Sequence, residues 1–134
     1  MPNKNILTDK KIFLIEDDMF FSNMISAKLA NFQCTLINST NGKEALESLE
    51  KEKPDIILLD LLLPGGMDGF AILEKIKSNS ILKDIPVIIL SNLSQAEDIE
   101  KGMELGAFRY LTKALVSPNE IVENIESALN SKKI

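Results

Sequence analysis

Acidic, hydroxyl-bearing and basic residues follow the apolar runs of this sequence where each run ends. The residues concerned are Glu16, Asp17, Asp18, Asp60, Ser91 and Lys113. If the runs are parallel strands of one sheet, these side chains meet at the carboxyl edge, where ligands bind. Carboxylates crowded together repel one another unless a cation compensates. Mg²⁺ is the natural partner, because it takes carboxylate oxygens and keeps several waters.

Lys113 and Ser91 indicate a second ligand, since neither is needed merely to hold a metal ion. A lysine can pair with one oxygen of an anion while a hydroxyl bonds to another. A phosphoryl group is the anion that best fits both Mg²⁺ and lysine. With the carboxylate of Asp60 at the centre, the residues predict an aspartyl-phosphate.

The elements that must position these residues alternate between apolar runs and helical patterns. We predict strands over 11–15, 34–39, 55–59, 86–90 and 108–112, and helices over 20–32, 41–53, 69–79, 94–107 and 117–133. The runs are continuous rather than alternating, which is typical of strands covered on both faces. The order predicts one α/β domain with a parallel sheet between helices.

Four polar residues have a local structural interpretation. Ser117 is the predicted N-cap of the last helix, with Pro118 in its first turn and Glu120 at capping-box spacing. Asp18 and Asp68 each precede a helix and are interpreted as caps rather than ligands.

Composition excludes several classes of protein. The chain has 134 residues, 45% of them hydrophobic, which suits one domain. No apolar stretch approaches the roughly 20 residues of a membrane span, and the N-terminus lacks the pattern of a signal peptide. A net charge of −5 argues against non-specific binding to nucleic acid or anionic membrane.

The counts of cysteine and histidine restrict the chemistry further. The single cysteine, Cys34, allows no internal disulfide, which fits a cytoplasmic location, and we interpret it as a small buried hydrophobe. Because the chain has no histidine, it has no imidazole zinc ligand and no Ser-His-Asp triad. The chain therefore cannot carry phosphohistidine itself.

Together the stretches FLIEDD, DIILLDLLLPGGMDG, PVIILSN and YLTKA resemble a response-regulator receiver domain of two-component signalling, over about residues 10–131. The resemblance implies a flavodoxin-like fold with strand order 2-1-3-4-5, which is the order known for a chemotaxis member of this family. It also implies a role as phosphoacceptor rather than enzyme, limited to catalysis of its own phosphorylation and slow autodephosphorylation.

The resemblance implies a role for each matching position. Asp60 is the phosphoacceptor, Lys113 the phosphate-binding lysine, Ser91 the switch hydroxyl and Tyr110 the switch aromatic, although Tyr110 is also explained as a half-buried strand residue. The implied metal ligands are Asp17, Asp60, Glu16 through water, and the backbone carbonyl of Leu62.

The partners implied by the resemblance are proteins. A sensor histidine kinase or histidine phosphotransfer protein donates the phosphoryl group, and a downstream target binds a face within about residues 94–129. Met19 and Phe20 are either core or part of the donor-docking patch. The resemblance also allows a homodimer that forms on phosphorylation. We expect residues 1–134 to be a single receiver domain without an output domain.

The sequence departs from the family pattern at three places. The loop after Asp60 has one more glycine than the commoner form, Asn92 follows Ser91 where Ala or Gly is usual, and Ala114 follows Lys113 where Pro is usual. We hypothesise that Asn92 narrows access to Asp60. The isomer of the Lys113–Ala114 bond stays open, because the family's Lys-Pro bond is generally cis whereas a non-proline cis bond costs about 3–4 kcal/mol.

The sequence disfavours one alternative function and leaves a second one open. An aspartyl-phosphate hydrolase of the haloacid dehalogenase group carries a second Asp two residues after its nucleophile, where this chain has Leu62. A fast phosphatase is therefore disfavoured. A scaffold that binds partners without being phosphorylated stays open, although every catalytic position is chemically intact.

Overall fold

The computed structural model describes residues 5–65 and 68–131, and strands and helices alternate throughout. The strands are β1 (Lys11–Ile15), β2 (Thr35–Ser39), β3 (Ile56–Leu59), β4 (Val87–Ser91) and β5 (Arg109–Thr112). The helices are α1 (Met19–Leu29), α2 (Gly42–Glu52), α3 (Gly69–Ser78), α4 (Ala96–Glu104) and α5 (Pro118–Asn130). The part of the 117–133 helix prediction that concerns 132 and 133 lies outside the described residues.

All strands belong to one parallel sheet with the order β2-β1-β3-β4-β5. The predicted flavodoxin-like fold is thereby confirmed. Ile15 at the end of β1 pairs with Ser39 of β2 and with Leu59 of β3, and Ser91 pairs with Thr112 of β5. The strands therefore end side by side, and the residues that follow them share one edge of the sheet.

Each face of the sheet has its own apolar core. Helices α1 and α5 cover one face through residues such as Ile25 and Ile125. Helices α2 and α3 cover the other through residues such as Leu49 and Ile72, and α4 joins them, since its Gly102 lies against Ile89 of β4.

The prediction that the strands are covered on both faces is confirmed, although the edge strands are less buried: Leu36 of β2 and Leu111 of β5 pack against one core, and Ile37 and Tyr110 against the other. Every residue of β2 and β5 is at least partly exposed, whereas β3 and β4 are buried throughout. An edge strand has a neighbour on one side only, so solvent reaches it even where a helix packs on its face.

The helix caps that the sequence predicts are present in the structure. Asp18 Oδ1 accepts hydrogen bonds from the N–H groups of Phe20 and Phe21, and Asp68 Oδ1 accepts one from Ala71. Ser117 and Glu120 form both bonds of the capping box. Among the described residues, no helix is long and apolar enough to cross a membrane.

Candidate functional site

Backbone hydrogen bonds from neighbouring strands fix the residues that follow β1, β3 and β5. The N–H of Asp60 donates to Ile15 O at 3.0 Å, and that of Glu16 donates to Ser39 O at 2.9 Å. The N–H of Lys113 donates to Ser91 O at 2.9 Å. These side chains therefore extend from rigid backbone, which is how a sheet edge preorganises a site.

The structure brings together the three acidic residues that the sequence singles out as metal ligands. Glu16, Asp17 and Asp60 each offer a carboxylate oxygen, and these atoms lie within 4.8 Å of one another. Glu16 and Asp60 are buried, while Asp17 is exposed. A cation held here would contact carboxylate oxygens on its inner side and water on its outer side, as Mg²⁺ prefers.

Lys113 is the cation within this acidic cluster. Its Nζ lies 2.6 Å from Glu16 Oε1 and 3.4 Å from Asp60 Oδ2, and its side chain is only 9% exposed. Burial alone would lower the pKa of Lys113, but contact with Glu16 and the charge of Asp60 outweigh burial and raise it. Lys113 therefore stays charged and within reach of an anion attached to Asp60.

Glu16 retains capacity for a further partner. Its Oε2 accepts a hydrogen bond from the N–H of Asp18 at 3.1 Å. Its buried Oε1 pairs with Lys113 Nζ at 2.6 Å and accepts no further hydrogen bond from the described residues. Burial raises the pKa of Glu16 to about 7, against the opposing contact with Lys113. A carboxylate oxygen with one partner can accept a second hydrogen bond, which fits a water of a hydrated metal ion.

Ser91 and Tyr110 converge on one residue of the loop between β4 and α4. The buried Ser91 Oγ accepts a hydrogen bond from the N–H of Leu93 at 3.2 Å. The Tyr110 hydroxyl donates to the carbonyl of Leu93 at 2.5 Å. Burial raises the pKa of Tyr110, so the hydroxyl stays protonated and able to donate.

Comparison with known proteins agrees with this geometry. The family model described as "Response regulator receiver domain" matches residues 12–126. The chain belongs to the response regulator receiver domain family.

Similar proteins include full-length regulators and solved structures. The phosphate regulon transcriptional regulatory protein PhoB of Escherichia coli is 32% identical over 120 residues, covering 90% of this chain and 52% of PhoB. The alkaline phosphatase synthesis transcriptional regulatory protein PhoP of Bacillus subtilis is 30% identical over 126 residues, covering 94% of this chain and 51% of PhoP. The chain thus spans about half the length of the curated relatives that it matches.

The phosphorylated cyanobacterial phytochrome response regulator RcpA is 36% identical, with a TM-score of 0.82, and covers 95% of this chain and 98% of its own. The Mn²⁺-bound form of the response regulator Rcp1 is 34% identical, with a TM-score of 0.77, over 88% of this chain and 92% of its own. Family membership and a phosphorylated relative support a phosphoacceptor role for this receiver domain.

Leu62 lies beside the central carboxylate. Its N–H donates to Asp60 Oδ1 at 3.3 Å, and its side chain is 55% exposed. This receiver domain therefore has an apolar side chain where a phosphatase of the dehalogenase group would have its second Asp.

Gly69, at the start of α3, is a site residue that the sequence pattern did not predict. A Cβ there would collide with Leu61 Cα and lie 2.6 Å from Asp60 O. Only glycine allows α3 to begin this close to the backbone that carries Asp60. The available signal was the Asp68-Gly69 pair, which also marks an ordinary cap.

Phe21 is the second residue near the site that the sequence pattern did not predict. Its ring centroid lies 4.6 Å from Lys113 Nζ. Its place in the apolar pattern of α1 gave no sign of this contact.

The three departures from the family pattern are located as follows. The described residues contain no cis peptide bond, so the Lys113–Ala114 bond is trans. Asn92 is exposed. In the glycine-rich loop, Gly65 has a φ of +88°, while Gly66 and Met67 lie outside the described residues.

The structure also tests the predictions for Cys34 and for Met19 and Phe20. Cys34 is half-buried rather than fully buried as predicted, and it packs against the core between α1, α5 and the sheet. Burial raises the pKa of its thiol. Met19 and Phe20 are 57% and 85% exposed, so neither is core.

Proposed function

We propose that this receiver domain accepts a phosphoryl group onto a carboxylate oxygen of Asp60, from a phosphohistidine on another protein. The observation that carries the proposal is the pairing of the Glu16–Asp17–Asp60 cluster with Lys113, 3.4 Å from Asp60 Oδ2. A carboxylate cluster alone suits many cations, but a buried lysine beside the central carboxylate suits an anion attached to it.

The proposed transfer needs little acid–base chemistry. An Asp60 oxygen attacks phosphorus, the P–N bond to the donor imidazole breaks, and the donor nitrogen keeps the electron pair and takes up a proton. Lys113 pairs with a phosphoryl oxygen, and Ser91 donates its hydroxyl hydrogen to another. Asp17, Asp60, the Leu62 carbonyl and, through water, Glu16 would hold Mg²⁺, which would supply neutralisation of phosphoryl charge.

We further propose that hydrolysis of the aspartyl-phosphate is slow. A fast hydrolase needs a positioned group that takes a proton from the attacking water. Leu62, next but one after Asp60, carries no such group, and its side chain is exposed at the site. The chain thus acts as a signalling phosphoacceptor that catalyses only its own phosphorylation and its own slow dephosphorylation.

The donor partner is proposed to dock on an apolar rim around Asp60. The rim consists of Met19, Phe20, Leu62 and Leu115, which are between 55% and 85% exposed. They come from three separate loops or helix starts that follow β1, β3 and β5. Exposed apolar groups grouped around a reactive residue are typical of a protein-docking surface. A histidine kinase or phosphotransfer protein supplies the complementary surface in the cytoplasm.

The downstream partner is proposed to bind within residues 94–129, where Ser91 and Tyr110 can transmit the change. Both contact Leu93 immediately before this segment. Its exposed acids include Glu97, Glu100, Glu104 and Glu123. The exposed cations of this segment are Lys101 and Arg109, and each lies over an aromatic ring. The excess of exposed acids over exposed cations favours a partner with a basic surface.

The test is the intact mass of the protein after incubation with acetyl phosphate, with and without Mg²⁺. We expect a single phosphoryl adduct on the wild type, none without Mg²⁺ and none on Asp60→Asn. Asp68→Asn, which changes an acidic cap in the same loop, is the matched control and should still be modified. If the wild type forms neither the adduct nor a beryllofluoride complex, the phosphoacceptor proposal is wrong and a scaffold role is favoured.

A further inference from the structure

Among the described residues, Lys113 Nζ contacts two carboxylates and also an aromatic ring. Glu16 Oε1 and Asp60 Oδ2 lie 2.6 and 3.4 Å away, and the centroid of the Phe21 ring lies 4.6 Å away. Phe21 is itself only 9% exposed. The ammonium group is therefore enclosed by two acids and the face of one aromatic ring.

We propose that Phe21 is a positioning residue for phosphoryl transfer, holding the Lys113 ammonium near Asp60 through its ring face. The proposal rests on the proposed function, in which Lys113 pairs with the incoming phosphoryl group. An aromatic face attracts a cation over a broad range of directions and occupies none of its N–H donors. The ring can therefore keep Lys113 in place while its donors turn from Glu16 toward the phosphoryl oxygens.

The surroundings make Phe21 a fixed support rather than a mobile side chain. Its N–H, in the first turn of α1, is bonded at 3.3 Å to the capping oxygen of Asp18. Its ring belongs to the apolar core between α1, α5 and the sheet. The segment 16–21 thus carries two of the proposed metal-binding acids, the helix cap and the aromatic ring. One rigid turn sets their positions relative to Lys113.

The contact also limits hydration of the ammonium group. Cation–π attraction is stronger when the pair is desolvated than at exposed sites. Because both partners are only 9% exposed, the pair belongs nearer the desolvated case. Replacing the ring by an aliphatic side chain keeps an apolar group at this position but removes this attraction.

The experiment measures the rate of phosphorylation at saturating acetyl phosphate and Mg²⁺ for Phe21→Leu and Phe21→Tyr. We expect Phe21→Leu to lower the rate about 3- to 30-fold and Phe21→Tyr, which keeps the ring, to restore most of it. Mg²⁺ affinity, measured by calorimetry, should change little in both variants. Phe108→Leu is the matched control, since it removes a ring that lies 4.7 Å from Arg109, another cation.

Two further measurements separate the contact from the chemistry and from folding. Ring-current shifts of the Lys113 Hε protons, assigned with Lys113→Arg, should be present in the unphosphorylated wild type and lost in Phe21→Leu. Fluorine substituted stepwise on the Phe21 ring weakens its attraction for cations with little change of shape, so the rate should fall with each fluorine.

The possible results distinguish failure of the positioning role of Phe21 from failure of the phosphoacceptor function. A Phe21→Leu rate within about twofold of wild type, equal rates for the Leu and Tyr variants, or no effect of fluorine overturns the inference while the phosphoacceptor function stands. A wild type that shows the ring-current shift but forms no adduct overturns the proposed function, and the positioning role with it.

Discussion

Lys113 lies nearer to Glu16 than to Asp60, the residue whose chemistry it is proposed to serve. The separations are 2.6 Å to Glu16 Oε1 and 3.4 Å to Asp60 Oδ2. The lysine is thus paired with a buried acid and lies within reach of the acceptor. Pairing with a phosphoryl group on Asp60 would therefore need only a short movement of the ammonium group.

Lys113→Gln tests whether Lys113 binds the phosphoryl group or helps to form the Mg²⁺ site. We expect phosphorylation by acetyl phosphate to be abolished or strongly slowed, while Mg²⁺ affinity is kept or increased because no ammonium competes for the carboxylates. Removing one member of a buried ion pair lowers the free energy of unfolding by about 3–5 kcal/mol. The loss is smaller here if Glu16 takes up a proton. Calorimetric Mg²⁺ titration and urea unfolding provide the readouts.

Lys11→Gln is the control for Lys113→Gln, since Lys11 pairs with Glu52 at 3.1 Å on the surface and both side chains are more than a third exposed. It should change neither phosphorylation nor Mg²⁺ affinity. Loss of Mg²⁺ binding in Lys113→Gln would show instead that the lysine shapes the metal site.

The raised pKa of Glu16 predicts how stability depends on pH in metal-free buffer. With a folded pKa of about 7 and an ordinary value of 4.5, the folded state binds more protons between these limits. The contribution of Glu16 to stability is therefore full below pH 4.5 and is lost as pH rises through about 7. Glu16→Gln should remove this part of the dependence, as measured by urea unfolding with chelator across that range.

Glu52→Gln is the matched control for the Glu16 experiment, because the Glu52 side chain is 38% exposed. Its unfolding profile should follow the wild type. An unchanged profile in Glu16→Gln would contradict the assignment of this pH dependence to Glu16.

Gly69→Ala should damage the site by displacing the backbone of Asp60. A Cβ at Gly69 would collide with Leu61 Cα and approach Asp60 O to 2.6 Å, and backbone atoms cannot yield locally. Overpacking of this kind costs about 1–3 kcal/mol. We expect lower stability and slower phosphorylation, measured by urea unfolding and intact mass.

Gly65→Ala provides the comparison for Gly69→Ala, since a Cβ at Gly65 meets nothing within 4 Å although its φ is +88°. It should lose some stability through backbone strain but keep its phosphorylation rate. Equal rates for Gly69→Ala and wild type would rule out a role for this close approach.

Tyr110→Phe tests the link between β5 and the loop after β4. The substitution removes the hydroxyl that donates to Leu93 O at 2.5 Å, and a hydrogen bond of this kind contributes about 0.5–1.5 kcal/mol. We expect faster hydrogen exchange in residues 92–96 and little change in the phosphorylation rate. If exchange in this loop is unaffected, Tyr110 does not hold the loop.

Asn92→Ala tests whether the side chain after Ser91 narrows access to Asp60. Asn92 is exposed, so its replacement should leave stability within about 0.5 kcal/mol of wild type. We expect faster phosphorylation or faster loss of the phosphoryl group, followed by intact mass over time. Identical rates in both directions would show that Asn92 does not control access to Asp60.

The sequence by itself determined the fold class, the strand order through family resemblance, and the sheet edge at which the site forms. Continuous apolar runs ending in polar residues suffice for this, because parallel strands place their carboxyl ends together. The caps at Asp18, Asp68 and Ser117 were equally predictable, since they depend on hydrogen bonds between residues at most three positions apart.

Only the tertiary structure decided which residues surround Lys113 and Asp60. The contacts of Phe21 with Lys113 and of Gly69 with Leu61 depend on where two helices begin relative to the sheet. The exposure of β2 and β5 likewise depends on their places at the edges of the sheet. Local periodicity carries no information about such distances, because they are fixed by packing between elements far apart in the chain.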